Sequence, residues 1–304
     1  MTPNTIMTEW LDNPVVGSAI YEMALNREVK WEVQGESEFG IRHTRINWSQ
    51  DTLSWLHILE FRKRPISIFI GTNIINWKAV DCLPPRLRED KKLNKVGRDK
   101  YNNIWQQYLT PASCQERKLD FHDIWLGKSM VWDIDHEDNL KIAFEDAVSI
   151  YDYLKNLDYN PAMVFSGSKG FHIWLDCAEA EELVGHSFKT VEQDDPLRNL
   201  GKLYREKIQQ ISVSATGRRL PNLDLAPAQR QGIIRCPYSQ HSKTGLVVWP
   251  LSKEDINNLN ETEFTTAVEV ADILYSWETT NFAGDKIPMP AHYKTINRGF
   301  ALSK

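Results

Sequence analysis

The chain has 304 residues, 41% of them hydrophobic and 25% charged, with 36 Lys and Arg against 41 Asp and Glu for a formal net charge of −5. That balance supports a sizeable core in one large domain or two closely joined ones, and argues against a protein that coats nucleic acid over its whole surface, though not against a local basic groove. No apolar run reaches membrane-spanning length, and residues 1–13 lack the basic-then-apolar layout of a secretory signal. The four cysteines, Cys82, Cys114, Cys177 and Cys236, form no Cys-x-x-Cys pair. The expectation is therefore an intracellular protein, cytoplasmic or nucleoid/nuclear and not secreted, with buried thiols and no disulfide framework or zinc knuckle.

Residues 5–26 read as a helix with Trp10, Leu11, Val15, Ile20, Tyr21 and Leu25 as apolar positions and Pro14 as a break. Extended runs follow at 29–33, 39–47 and 65–73, the last with Ile66, Ile68 and Ile70 alternating, and a helix over 52–61 separates the second from the third. Residues 84–118 are polar and basic, helix-compatible over 101–109, and read as an insertion or linker. Within them Arg86, Arg88, Lys91, Lys92 and Lys95 are candidate template contacts, or else a solvated surface loop.

From residue 129 the pattern sharpens. A strand over 129–135 is followed by an amphipathic helix over 139–157, with Leu140, Phe144, Val148, Tyr151 and Leu154 at helical spacing, then a strand over 162–165, a glycine-bearing turn and a strand over 171–176. A helix over 195–213 leads to Leu223-Asp224-Leu225. Strands over 232–235 and 245–250 enclose the turn 236–244, and a last helix over 261–278 precedes the tail 288–304. This order favours an α+β fold with a mostly antiparallel sheet. It is read as a single unit: an α/β part over 1–83, the 84–118 segment, a catalytic part over 119–255, and a C-terminal helix and tail over 256–304. There is no internal repeat and no Rossmann fingerprint.

A strand has a side-chain period of two, so Asp133 and Asp135 project from one face while Trp132 and Ile134 go to the other. Two carboxylates in one small volume repel, and the usual neutraliser is a hard divalent cation such as Mg²⁺ or Mn²⁺. Asp-x-Asp alone also occurs on ordinary surface strands. The turn Ser166-Gly167-Ser168-Lys169-Gly170-Phe171-His172 adds two glycines that permit close approach of N–H groups to an anion, the hydroxyls of Ser166 and Ser168, the Lys169 ammonium, and His172 at the mouth. It suits a triphosphate, and also an ordinary hairpin. A strand ending at Asp224 can bring a third carboxylate beside the first two, with Arg235, His241 and Lys243 as positive donors to phosphate oxygens. Three carboxylates beside a basic, hydroxyl-rich wall is what two-metal nucleotidyl transfer requires.

These motifs resemble the archaeo-eukaryotic primase superfamily, and within it the catalytic small subunit of archaeal and eukaryotic replicative primases. Val131 to Asp135 resembles the first motif, Ser166 to Trp174 the second, and Leu223-Asp224 with Arg235 to Gly245 the third; Arg27-Glu28-Val29 and Ile41-Arg42 resemble N-terminal segments of the family. The resemblance implies an α/β N-terminal layer packed on a modified RNA-recognition-like sheet with the active site between them. It also implies Asp133, Asp135 and Asp224 as ligands of two Mg²⁺ or Mn²⁺ ions, Ser166, Ser168, Lys169, His172, Arg235, His241 and Lys243 as nucleotide contacts, and Arg42 and Glu28 near the pocket.

The activity implied is primer synthesis on single-stranded DNA from NTPs or dNTPs, with a primase large subunit as partner. An end-joining, gap-filling repair polymerase, a non-catalytic nucleotide- or nucleic-acid-binding subunit and a metal-dependent nuclease are the alternatives. The Cys/His cluster common in replicative small subunits is missing, so no structural zinc is expected. Where the family often has an acidic residue before an Ile-Gly pair this chain has Phe69-Ile70-Gly71, so the resemblance does not fix a sugar preference.

Overall fold

The computed structural model describes residues 14–24, 26–27, 29–33, 42–44, 65–76, 111–116, 120–187, 189–190, 195–230 and 232–274. In chain order the elements are α1 (Pro14–Ala24), β1 (Val29–Val33), β2 (Arg42–Thr44), β3 (Pro65–Gly71), β4 (Asn73–Ile75), α2 (Pro111–Glu116), α3 (Phe121–Ile124), β5 (Trp125–Lys128) and β6 (Met130–Asp135). They continue with α4 (Leu140–Asn156), β7 (Ala162–Phe165), β8 (Gly170–Leu175), α5 (Cys177–Val184), α6 (Pro196–Thr216), β9 (Leu223–Asp224), a 3₁₀ turn (Ala226–Ala228), β10 (Ile233–Arg235), β11 (Trp249–Pro250), α7 (Lys253–Glu261) and α8 (Ala267–Leu274). The expected helices over 52–61 and 101–109, and the basic residues Arg86 to Lys95, lie outside the described residues.

The strands form a four-stranded sheet in the order β10-β3-β1-β2, a five-stranded sheet in the order β11-β7-β8-β6-β9, and the pair β4-β5. Every pairing is antiparallel. The five-stranded sheet buries apolar side chains from both faces, wholly on one and at one end of the other. From one face Trp132, Ile134, Met163, Phe165, Phe171 and Ile173 enter a core shared with Phe144, Leu154, Tyr204 and Ile208 of α4 and α6. Trp132 is fully buried, and its indole Nε1 donates to Ile208 O at 3.2 Å. Burial of each such side chain is worth about 1.5–3 kcal/mol. From the other face Val131, Ala162, Val164 and Trp174 pack with Ile68, Ile70, Ile234 and the buried face of α1. The site-bearing face is thus covered at one end by the N-terminal layer.

Two buried basic side chains stitch that junction. Arg27 donates from Nη1 to Gly71 O and from Nη2 to Ser129 Oγ, each at 2.7 Å, and burial lowers its pKa to about 10. Lys128 Nζ donates to Thr72 Oγ1 (2.7 Å), Gln229 O (2.9 Å) and Asn73 Oδ1 (3.1 Å), and burial lowers its pKa to about 7.

Several boundaries differ from the sequence reading. Pro14 opens α1, where its missing N–H costs nothing, and residues 5–13 of the expected helical stretch lie outside the described residues. The run 65–73 is two strands, because Thr72 N donates to Gly232 O and its Oγ1 to Pro227 O, which turns β4 away to pair with β5. Ile233–Arg235, counted with the catalytic part, pairs with β3 of the N-terminal sheet. Within the helix expected over 261–278 the structure has α8 (Ala267–Leu274), while α7 (Lys253–Glu261) precedes it and ends where that helix was expected to begin. A capping box between Ser252 and Asp255 starts α7 early, and the Glu269 carboxylate accepts from the Thr265 and Thr266 amides to start α8 afresh. The strand expected over 245–250 is reduced to β11, with an isolated bridge Gln240–Val247. Among the described residues Cys114, Cys177 and Cys236 are buried free thiols, and no helix is long and apolar enough to cross a membrane.

Candidate active site

Strand β6 runs between β8 and β9, and its register decides which side chains meet. Asp133 lies opposite His172 on one side and Asp224 on the other, and Asp135 lies opposite Gly170. Directly opposed residues share a sheet face, so His172, Asp133 and Asp224 form one transverse row, with Asp135 two residues along the same face. His172 Nε2 is 3.4 Å from Asp133 Oδ1, and His172 Nδ1 is buried with no hydrogen-bond partner among the described residues.

Burial and then the neighbouring Asp133 charge raise the pKa of Asp135, while Lys169 and His172 work the other way. Lys169 is committed to carboxylates: its Nζ lies 3.2 Å from Asp135 Oδ2 and also donates to Glu137. Gly170 makes the closeness possible, since a Cβ there would sit 2.2 Å from Ile134 O and 2.3 Å from Asp135 Oδ1.

The two turns of the second and third motifs pack on each other. Ser166 is buried and closes its own turn, with its Oγ accepting from Gly170 N at 3.2 Å; Ser168 is half-buried beside it. Gly167 has φ +77° and would meet Leu246 O and the His241 side chain if it carried a Cβ, and Thr244 Oγ1 donates to Gly167 O.

His241 Nδ1 accepts from Lys243 N at 3.2 Å. Burial first, then Arg235, Lys243, His172 and Lys169, lower its pKa to about 3. This corrects the expectation of a positive donor: His241 is neutral at physiological pH, its proton on Nε2. Arg235 lies opposite Phe69, its guanidinium 4.6 Å from that ring and hydrogen-bonded to Ser67 Oγ. The ring thus occupies the position where the resemblance looks for an acidic residue. Ser239 Oγ donates to Cys236 O (2.6 Å), holding the turn, and Lys243 is exposed.

Not every expected residue joins. Asp224 is exposed, and its Oδ1 accepts from Ala226 N at 2.8 Å. Among the described residues no three His, Cys, Asp or Glu side chains converge to metal-binding distance. The donor set still suits hard divalent cations: Asp133 and Asp135 offer carboxylate oxygens from one face, and the pKa of Asp135, raised first by burial and then by the Asp133 charge, marks a carboxylate that such an ion would stabilise. Arg42 lies in β2 opposite Trp31, and Glu28 lies outside the described residues. Glu137, Thr72 and Lys128 were missed by sequence reasoning; only Glu137, two residues beyond Asp135, carried a signal in its spacing.

No family model matches the sequence. The chain is similar to the DNA primase small subunit PriS of Pyrobaculum aerophilum, 31% identical over 172 residues, with 44% of this chain and 54% of that protein covered. It therefore spans about half the length of that curated relative. In fold it is similar to the polymerase domain of Ligase D from Mycobacterium tuberculosis, solved in complex with DNA, with a TM-score of 0.50, 12% identity, and 89% of this chain and 88% of that one covered. The partial match in sequence to a primase small subunit and the match in fold to a polymerase domain agree with the resemblance read from the sequence and with the expected α+β fold.

Proposed function

We propose that the chain is a template-directed nucleotidyltransferase that synthesises primers on single-stranded DNA, a primase or primase-polymerase, using two Mg²⁺ or Mn²⁺ ions. The observation that carries this reading is the row His172, Asp133 and Asp224 with Asp135 beside it, walled by Lys169, Arg235, His241 and Lys243. Asp133, Asp135 and Asp224 would hold the ions, with Asp224 leaving the Ala226 amide to do so. The chemistry supplied by ions held there would be acidification of an attacking 3′-hydroxyl and offset of charge on the leaving pyrophosphate.

The chain's own groups do the rest. Lys169 exchanges its carboxylate partners for triphosphate oxygens, a swap that keeps the ammonium paired throughout. Neutral His241 offers an Nε2–H whose direction is fixed by the amide hydrogen bond at Nδ1. Gly170 admits Asp135 to close range, and the 241–246 turn holds Gly167 through Thr244. These are positioning and electrostatic contributions, the kind on which phosphoryl transfer relies. A large subunit is the proposed partner, since the relative PriS is by name a small subunit.

The test is synthesis on a single-stranded DNA template with Mg²⁺ or Mn²⁺, from labelled NTPs or dNTPs, with and without a primer. Unprimed product supports the primase and identifies its sugar preference. Extension only from a primer moves the assignment to a gap-filling polymerase, and template degradation moves it to a nuclease.

A further inference from the structure

We infer that one face of α6, carrying Arg198, Lys202 and Arg205, is a track for the phosphate backbone of the single-stranded DNA template on the Asp224 side of the site; this rests on the polymerase reading above. At about 100° per residue these three positions and Gln209 fall within about 60° of helix circumference, and Arg198 to Arg205 span about 10 Å along the axis. Arg198, Lys202 and Gln209 are exposed and Arg205 half-buried, and that strip contains no acid. No carboxylate among the described residues is ion-paired with Arg198, Lys202 or Arg205. The acids nearby are otherwise placed. Asp195 caps the helix and lies 3.4 Å from Arg230, and Glu206 projects to the side of the strip.

α6 packs on the sheet face opposite the carboxylates, and a close backbone approach joins it to the segment that follows Asp224 at the sheet edge. Gly201 lies between its cations, and a Cβ there would be 2.5 Å from Ala228 O, so α6 rests directly on the 3₁₀ turn that follows Asp224. That turn's first amide, from Ala226, holds the Asp224 carboxylate. Arg205 Nε leans back along the helix to Gly201 O, toward the same contact. In a chain of net charge −5, a three-cation strip with no acid among its positions, on the helix that touches the turn after the third carboxylate, complements a polyanionic strand passing there. The occupant is the template because single strands are gripped by such basic tracks without base-specific contacts.

The experiment compares the full-length chain with Arg198→Gln/Lys202→Gln/Arg205→Gln. Fluorescence anisotropy measures affinity for a labelled single-stranded oligonucleotide across a salt series, and primed synthesis on the same template is followed in parallel. Each phosphate left without its cation should reduce the log–log salt slope by about 0.7, so a shallower slope by up to about 2 is expected, with weaker binding at low salt. Arg198→Lys/Arg205→Lys should keep the wild-type slope. Arg198 and Lys202 are exposed and Arg205 is half-buried, so the thermal unfolding midpoint is followed alongside and any fall is expected from Arg205→Gln alone. An unchanged slope in the triple Gln variant, with wild-type synthesis intact, overturns the track and leaves the polymerase reading standing. Absence of both binding and synthesis in the wild type overturns the two together.

Discussion

Gly170→Ala separates the geometry of the carboxylate site from the stability of the sheet. An added Cβ would lie 2.2 Å from Ile134 O and 2.3 Å from Asp135 Oδ1, whereas a carbon and an oxygen ordinarily settle no closer than about 3.3 Å. Relief of about 1 Å must therefore come from β6, β8 or the Asp135 side chain. The closer contact is with the β6 backbone at Ile134 O, which no side-chain rotation relieves, so β6 must part from β8 at the Asp135–Gly170 end of their register and carry Asp135 with it. Overpacking of this kind costs about 1–3 kcal/mol of folding stability. A misplacement of about 1 Å at a reacting group costs on the order of 100-fold in rate.

Urea unfolding and single-nucleotide incorporation at saturating substrate read the two effects separately. Gly185→Ala is the control: its φ is +72° and an added Cβ would meet nothing within 4 Å, so it should lose about 1 kcal/mol of stability and no activity. A Gly170→Ala protein with wild-type stability and a rate within a factor of two of wild type would refute the argument.

The buried Lys128 has a folded pKa of about 7 against an ordinary value of about 10.4, so between these the unfolded chain binds the extra proton and the stability Lys128 contributes rises with pH. The stability difference between wild type and Lys128→Met should grow from pH 7 to pH 9, by up to about 1.4 kcal/mol per unit; a flat difference contradicts this. His241, with a pKa of about 3, should show no titration of its ring resonances between pH 5 and pH 8 by NMR, and a midpoint near 6.5 would contradict the burial argument. Ser252→Ala removes the α7 capping box and should cost about 1 kcal/mol in chemical unfolding while leaving nucleotide incorporation unchanged.

The parts of the site written in local spacing were legible in the sequence. Asp133 and Asp135 share a face because a strand alternates, and the Ser166–His172 turn follows from its glycines. What brings the parts together is nonlocal. Nothing in the spacing of Gly232 to Arg235 says that β10 crosses to the N-terminal sheet, and the backbone bond from Thr72 to Gly232 that fixes the crossing joins residues far apart in the chain.

Lys128 reads in sequence as an ordinary surface lysine; only the convergence of Thr72, Asn73 and Gln229 on one point lets it be buried. The charge state of His241 depends on burial and four neighbouring groups, which composition does not reveal. Helix α5 was missed although its signals were present: Asp176 caps it, accepting from Glu179 N, and Gly185 ends it with φ +72°.

The measurement that tests the central claim most directly is single-turnover incorporation of one labelled nucleotide opposite a defined template base. It compares wild type, Asp133→Asn, Asp135→Asn and Asp152→Asn, the last an exposed carboxylate on α4, the helix packed against the other face of the sheet. The account predicts a loss on the order of 1,000-fold for each of the first two variants, comparable to removal of a principal electrostatic catalytic group, and none for Asp152→Asn. Template-directed incorporation that survives in Asp133→Asn and Asp135→Asn would contradict the assignment of these carboxylates as the reaction centre.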